Sequence, residues 1–396
     1  MRQPTYETAG DVERFDERDT VFAREALVPG SREEIDYHNR NPHLKEIDTE
    51  LSRFITDKMD RSGATWGRAY YRTGFSSIAH LALPDCVDGR PSPTGFDLTK
   101  DRNTDLVRDI SYYLGADVVA IGPLKPEWVY SHRGTRPFFD DEPQNLPLFE
   151  GMPEHYTGKL WGDPIELGHA NAISLGFAQN LDMLRAGPGD ASDLEIGRVY
   201  AKSALVACQL ASLIRSMGFP ARAHHVRNYC VLAVPVAVDA GMGELARSGH
   251  LLNKIYGLNL RLSCVTTDLP LNQDQPVDDG IQGFCERCLK CARTCPAAAI
   301  PTGEKTVVRG VRKWQIDPER CLAYWSRVGA ACVICQTVCP WSKHPGLFHK
   351  TVAHIASKVS WMTRALVFGD DLFYGKRYER KNEPGWMRRN RVDIRS

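Results

Sequence analysis

Eight of the twelve cysteines in this 396-residue chain fall between positions 285 and 339. In "GFCERCLKCARTCPAAAI", residues 283–300, gaps of two, two and three residues separate Cys285, Cys288, Cys291 and Cys295, and a proline follows the last. "CVICQTVCPW" repeats the end of that pattern with Cys332, Cys335 and Cys339, and Cys321 precedes Cys332 by ten intervening residues. Three chemistries compete for such a cluster. Disulfides suit small secreted domains, whereas adjacent C-x-x-C pairs in a long chain suit metals. Zinc takes two C-x-x-C pairs across a spacer and leaves the third cysteine and the C-P step without a reason. Two [4Fe–4S] clusters account for all of it. C-x2-C-x2-C wraps three corners of a cubane, and the cysteine before proline reaches the other cluster. Cys285, Cys288, Cys291 and Cys339 then hold one cluster, and Cys321, Cys332, Cys335 and Cys295 the other. The intervening "LAYWSRVGAA" is expected to bulge outward. The scattered Cys86, Cys208, Cys230 and Cys264 read as small buried residues. Two neighbouring clusters form an electron wire, so the rest of the chain must use the electrons.

Composition narrows that use. A formal net charge of +1, with 42% hydrophobic and 25% charged residues, describes an ordinary globular protein and argues against a dedicated nucleic-acid binder. No apolar run approaches the roughly eighteen residues of a membrane helix; the longest, "CVLAVPVAV", is half that. The polar N-terminus, "MRQPTYETAGDVERF", lacks a signal pattern. As written, the chain is expected to be cytoplasmic; removal of a leader would make it exported or membrane-associated.

"TDLVRDISYYLG" predicts a helix ending at Gly115, and "DVVAIG" a strand after it. Residues 133–165, rich in Pro, Gly, Asp and aromatics, predict a long irregular segment, and "WVYSHRGTRPFFDDEPQNLPLFEGMPEHY" suits a substrate lid. The strongest helix is "DLEIGRVYAKSALVACQLASLIRSMGF", with Asp193 as N-cap and Gly218 and Pro220 as its stop. "YCVLAVPVAV" reads as a buried strand weakened by Pro235, "DAGMGELARSGHLL" as a turn into a helix, and "LRLSCVTTDLPL" as a strand. The basic "RYERKNEPGWMRRNR" reads as a solvated tail or a local patch.

In this order, "GMGELARSGHLL", "LRLSCVTTDLPL", "CERCLKCARTCP", "CLAYW" and "CVICQTVCPWSK" resemble the corrinoid-dependent iron–sulfur reductases. That group comprises reductive dehalogenases and the epoxyqueuosine reductases, which act on a tRNA base. "FDERDTVFAREALVPGSREEIDYHNRNPHLKEID" and "DDLFYGKRYERKNEPGW" are similar to dehalogenase flanking segments, so the resemblance runs from about Phe15 to Trp386. It implies an α/β (α+β) fold, a nitroreductase-like cobalamin-binding core with an inserted bacterial-ferredoxin-like two-cluster module. The implied divisions are an N-terminal region 1–105, a cobalamin and substrate core 106–279, a ferredoxin-like domain 280–345 and a C-terminal extension 346–396.

The resemblance also implies cobalamin as cofactor and a small organohalide as substrate. A low-potential donor (ferredoxin, flavodoxin or a membrane quinol system) would supply electrons. A membrane anchor subunit and a homodimer are compatible with it, and no nucleic acid is expected. Carbon–halogen would be replaced by carbon–hydrogen; the alternatives are a tRNA-base reductase or a non-catalytic electron-transfer or corrinoid protein. By motif order the family's proton-donating tyrosine falls on Tyr200, its basic partner on Arg261 and an asparagine on Asn228. A phenol needs a cation beside it to release a proton near neutral pH, which Arg261 supplies. Taken singly, Tyr200 also fits an amphipathic core tyrosine, Arg261 a strand-face ion pair and Asn228 a turn. The expected corrin contacts are Ala240, Gly241, Met242, Gly243, Ala246, Ser248 and His250, the glycines allowing close backbone approach; a plain turn explains the same glycines. His224 and His225 read as structural or pocket-lining. Trp325 and Trp341, beside cluster cysteines, suit shielding of the clusters as well as simple packing.

Overall fold

The computed structural model describes residues 3–51, 78–96, 98–134, 161–343, 351–352, 356 and 360–389. Most of the expected lid lies outside these residues. Nine strands are described: β1 (Glu7–Thr8), β2 (Val118–Pro123), β3 (Asn171–Ala178), β4 (Ala221–His224), β5 (Glu244–Leu245), β6 (Leu251–Leu252), β7 (Leu260–Thr267), β8 (Thr306–Val308) and β9 (Val311–Lys313). Four of them form the central antiparallel sheet, in the order β2-β3-β7-β4.

The central strand β3, "NAISLGFA", carries large side chains on alternate positions and small ones between them. Ile173, Leu175 and Phe177 pack with Val199, Val206, Leu210 and Ile214 of the long helix Asp190–Ser216. The period of two sends Ala172, Ser174 and Gly176 to the opposite face. There a second helix, Ala233–Asp239, packs on the sheet. Its close approach requires small residues: a Cβ on Gly122 of β2 would stand 2.7 Å from Ala240 Cα. The core is therefore a helix–sheet–helix sandwich, as an α+β layer arrangement requires.

Several local expectations change. "YCVLAVPVAV" contains a helix rather than a strand, because Pro235 falls in its first turn, where the missing N–H breaks no helical bond. The segment after Gly241 is not a helix but the β5–β6 hairpin. The long helix starts at Asp190, with Gly189 as its cap and the Ser192 hydroxyl bonded to the Gly189 N–H at 3.1 Å. Asp193 instead accepts from the Ala331 N–H at 2.9 Å, tying this helix to the cysteine segment. "LAYWSRVGAA" does not bulge as a loop; most of it lies in a helix, Pro318–Val328, capped by Asp317 and ended by left-handed Gly329. The helix before Gly115 spans Lys100–Tyr113, and the strand after it is β2.

Both ends of the chain are fastened to the fold. β1 pairs with β9 of its β8–β9 hairpin, so the N-terminal strand completes a three-stranded sheet. Near the C-terminus, the Tyr378 hydroxyl donates to the Arg185 carbonyl at 3.1 Å, and Arg380 Nε donates to the Ala186 carbonyl at 2.6 Å. No described helix is long and apolar enough to cross a membrane.

Both histidines of "HHVRN" are built into this core. His224 Nδ1 lies 3.1 Å from the Cys230 N–H, and its Nε2 lies 3.0 Å from Thr266 Oγ1. His225 Nε2 faces the Leu81 carbonyl at 3.1 Å, while its Nδ1 accepts from the Arg227 N–H at 3.3 Å. That pair of contacts requires the neutral ring, and burial pushes its pKa down to about 4. Between pH 6.5 and 4 the unfolded chain therefore binds a proton that the folded chain refuses, so stability is lost as pH falls through that window. Lowering pH from 7 to 5 should cost about 2 kcal/mol through this group. Denaturant midpoints at the two pH values, compared with those of His225→Gln, should show that part of the slope vanish.

Candidate functional site

The helix Ile281–Cys288 stops at Leu289, whose φ of 54° breaks the turn before a new helix starts at Lys290. The break folds Cys285, Cys288 and Cys291 around one space, which Cys339 closes from the second half of the motif. These four thiols line one small cavity, together with Phe284, Leu252, Leu258 and Trp341. The Trp341 indole N–H is buried there without a protein acceptor. Arg247, also in the wall and itself buried, donates to the Cys285 carbonyl at 3.0 Å and to the Pro301 and Gly303 carbonyls at 2.9 Å. The remaining four cysteines form a second neighbourhood. Cys321 interacts electrostatically with Cys332 and Cys295, and Cys335 with Cys332, Cys321 and Cys295, while Cys291 links it to the first set. The Trp325 indole N–H, on the same helix as Cys321, is buried without a hydrogen-bond partner.

Burial raises these thiols, to about 12 for Cys291 and Cys321 and about 11 for Cys332 and Cys339. Cys285, Cys288 and Cys335 are pushed up as well. So many buried thiols become good ligands only when a metal centre compensates their charge, and loading must release protons. Among the described residues no three His, Cys, Asp or Glu side chains lie close enough to grip a single ion. A cubane, whose thiolates attach to separate irons, asks for that wider spacing. Four thiols around a cavity, with an orphaned N–H facing it, fit a [4Fe–4S] cluster. Cys208 and Cys264, each also raised to about 12 by burial, stand apart from both sets.

Tyr200 and Arg261 meet across the seam between the sheet and the cysteine segment. Tyr200 lies on the long helix beside Ile196, Val333 and Ala331, the last two from the cysteine segment. Arg261 stands on β7 opposite Phe177, and its guanidinium carbon lies 5.3 Å from the Tyr200 ring centroid. The contact is over the ring face. Arg261 Nε is buried without a partner. His250 is close by: burial, then the Arg261 charge, push its imidazole down to about 4, and its Nδ1 lies 3.0 Å from the Ser248 carbonyl. Asn228 is committed to the fold. Its Oδ1 accepts from Arg222 at 2.9 Å and Arg133 at 3.3 Å, and its amide donates to the Ala82 carbonyl at 2.8 Å.

The residues expected to contact a corrin lie on the Ala233–Asp239 helix end and the β5–β6 hairpin. Ala240, Met242, Ala246 and Ser248 are buried, and Ala246 and Ser248 line the cysteine cavity. Gly241 and Gly243 are demanded by the chain itself. A Cβ would lie 2.3 Å from the Gln275 carbonyl oxygen at the first and 2.3 Å from that of Leu252 at the second. Sequence reasoning missed three further residues. Gln179, with both amide ends, and Asn259 and Gln336, with their carbonyl oxygens, hold buried polar atoms without a partner. The Gln179 N–H donates to the Asn259 carbonyl, and Gln336 sits on the helix Ile334–Val338, which packs against Leu181–Arg185. Unpaired buried amides are costly unless a ligand meets them. Unpaired amides of this kind fit a ligand fringed with amide groups, as a corrin is. No local sequence pattern marks an amide as unsatisfied, so they were legible only in three dimensions.

Residues 284–343 match the 4Fe-4S dicluster domain family. The chain is 31% identical over 306 residues to the tetrachloroethene reductive dehalogenase of Sulfurospirillum multivorans, covering 72% of this chain and 60% of that protein. A solved reductive dehalogenase, described as suggesting a mechanism for B12-dependent dehalogenation, superposes with a TM-score of 0.70 at 25% identity. The chain is a relative of the reductive dehalogenases. The tetrachloroethene reductive dehalogenase of Dehalobacter restrictus is 30% identical over 69% of this chain and 54% of its own length. The superposition with the solved enzyme covers 95% of this chain and 49% of that one. This relative thus spans a little over half the length of the curated proteins it matches. The shared architecture is the α/β core with a ferredoxin-like dicluster segment.

Proposed function

We propose that this chain carries out reductive dehalogenation of a small organohalide, R–X + 2e⁻ + H⁺ → R–H + X⁻, with cobalamin and two [4Fe–4S] clusters. The observation that carries the reading is the Tyr200–Arg261 pair at the seam between the sheet and the eight-cysteine segment. When bound, cobalamin supplies the low-potential cobalt centre at which the carbon–halogen bond is cleaved. Gln179, Asn259 and Gln336 would hold its polar groups with their unpaired buried amides, and the Ala240–His250 segment would line its site. The chain's own task is the proton. Tyr200 holds it on Oη and gives it to carbon. Arg261, permanently charged and stacked on the ring, stabilises the phenolate left behind. Asn228, locked by two arginines, acts as a positioning residue for the turn before Tyr229. Cys285, Cys288, Cys291 and Cys339, and Cys321, Cys332, Cys335 and Cys295, would hold two clusters, which would supply electrons one at a time from a low-potential donor.

The test is anaerobic reconstitution with iron, sulfide and cobalamin, followed by EPR and a screen for halide release from halogenated phenols and ethenes with a reduced low-potential dye. Two reducible clusters, bound cobalamin and halide release are expected. Clusters and cobalamin without halide release from any compound would overturn the reading. Within it, Arg261→Gln should lower halide release by about tenfold, the equivalent of about 1.4 kcal/mol in the barrier. Arg261→Lys, which keeps the charge but loses the planar stack, should recover part of it in the same assay.

A further inference from the structure

The helix Thr363–Tyr374, near the C-terminus, has two dissimilar faces. Its inner face is clamped to the two short helices that carry the first three cysteines. Lys290, between Cys288 and Cys291, is buried and pairs with Asp370 and, at 2.8 Å, with Asp371. Lys343, four residues beyond Cys339, reaches Asp370 at 3.5 Å. Leu366 and Val367 pack into the same apolar group as Cys285, Cys288 and Cys339. One helix, about 10 Å across, therefore separates this cysteine set from the outside.

The outer face is apolar where a solvated helix should be polar. Trp361 in the preceding turn is 77% exposed, Phe368 66%, Leu372 73% and Phe373 73%. Contiguous exposed apolar surface of this kind marks an interaction site. Directly beyond it stand Lys376 and Arg377, both exposed and, among the described residues, without a carboxylate partner. From Trp361 to Ser396 the chain carries nine basic and five acidic side chains. Two of those five acids, Asp370 and Asp371, are already consumed by the buried lysines. An apolar patch rimmed by unpaired cations complements an apolar patch rimmed by carboxylates.

We propose that the outer face of Thr363–Tyr374, with Lys376 and Arg377, is the docking surface for a small acidic one-electron carrier protein that reduces the cluster beneath it. The inference rests on the dehalogenase reading only for the direction of electron flow. The carrier loses one electron and the cluster gains it; two such encounters supply one turnover.

The experiment uses the full reconstituted chain and an acidic flavodoxin in its hydroquinone form, whose oxidation to the semiquinone is followed by stopped-flow absorbance. Two variants are compared with the parent: Leu372→Asp with Phe373→Asp, and Lys376→Glu with Arg377→Glu. Each should lower the second-order rate constant on the order of tenfold or more, and the parent's rate should fall with salt. Reduction by methyl viologen radical should be unchanged, which shows the clusters to be intact. If the aspartate variant also loses viologen reduction through misfolding, the charge-reversed variant decides. An unchanged flavodoxin rate in that variant overturns the proposal. So does an unchanged flavodoxin rate accompanied by lost binding to phosphatidylglycerol vesicles, which would assign the face to an anionic membrane. A dimer converted to monomer at an unchanged rate would assign it to a second copy and equally overturn it. Flavodoxin oxidation is read without substrate, so failure of halide release leaves this result standing, and the reverse.

Discussion

Replacing Tyr200 with phenylalanine is expected to lower halide release by about 10²–10⁴-fold, the range that a positioned general acid contributes. The substitution removes one oxygen and leaves the ring, so the packing against Ile196, Ala331 and Val333 is retained and the stack under Arg261 persists. Cluster EPR spectra and thermal stability should therefore match the parent, which separates a lost proton donor from a damaged fold. A merely structural Tyr200 would show the opposite pattern, with near-normal turnover in the phenylalanine variant. Halide release in deuterated buffer adds a second readout: the parent should slow, and the variant should lose that sensitivity together with its rate.

The second large effect concerns the iron centres. Cys339→Ser and Cys332→Ser should each remove one cluster, and they should remove different ones. In the structure Cys339 closes the cavity formed by Cys285, Cys288 and Cys291, whereas Cys332 neighbours Cys295 and Cys321. Iron content should fall by about half in either variant, and redox-titrated EPR should lose a different signal in each. Loss of both clusters from either variant would mean that the two sets are not separate. Halide release should vanish in both, because a broken wire delivers no electrons. The metal also bears on folding. Thiols pushed up to about 11–12 by burial are disfavoured as ligands until iron binds, so chelation should destabilise the whole cysteine segment.

Electrostatics around the first cysteine set is richer than ligand spacing alone suggests. Arg247 lies in the cavity wall, beneath the ring of Trp314 at 4.3 Å from its centroid, and Lys290 and Lys343 bring two further buried cations. Asp370 and Asp371 balance the lysines, whereas Arg247 faces carbonyls. Such charges and hydrogen bonds help set a cluster's potential.

The cysteine register was readable in sequence because each ligand set is largely local: a cubane fixes short gaps, and proline marks the last ligand. The long helix was readable for a similar reason, since Val206, Leu210, Leu213, Ile214 and Met217 recur at the helical period and Gly218 with Pro220 end it. Even so, its start moved from Asp193 to Asp190, because Asp193 spends its carboxylate on Ala331 of the cysteine segment. "YCVLAVPVAV" misled because an apolar run has no intrinsic period. What decided its helix was the small-residue face of the sheet, Ala120, Gly122, Ala172, Ser174 and Gly176, into which a helix of valines and alanines fits.

By itself, then, the sequence determined a spacing of eight cysteines that suits two iron–sulfur clusters, together with a long helix and several strands. Those features rest on interactions between residues a few positions apart. Only the tertiary structure decided that Tyr200 and Arg261, sixty-one positions apart, share one contact, since that depends on β3–β7 register and on how the long helix lies across it. The same holds for the three arginine and alanine partners that lock Asn228, for the glycines at 241 and 243 held by Gln275 and Leu252, and for the orphaned amides of Gln179, Asn259 and Gln336. Burial and the loss of water decide whether a polar group is satisfied, and neither is a property of the groups beside it in the chain.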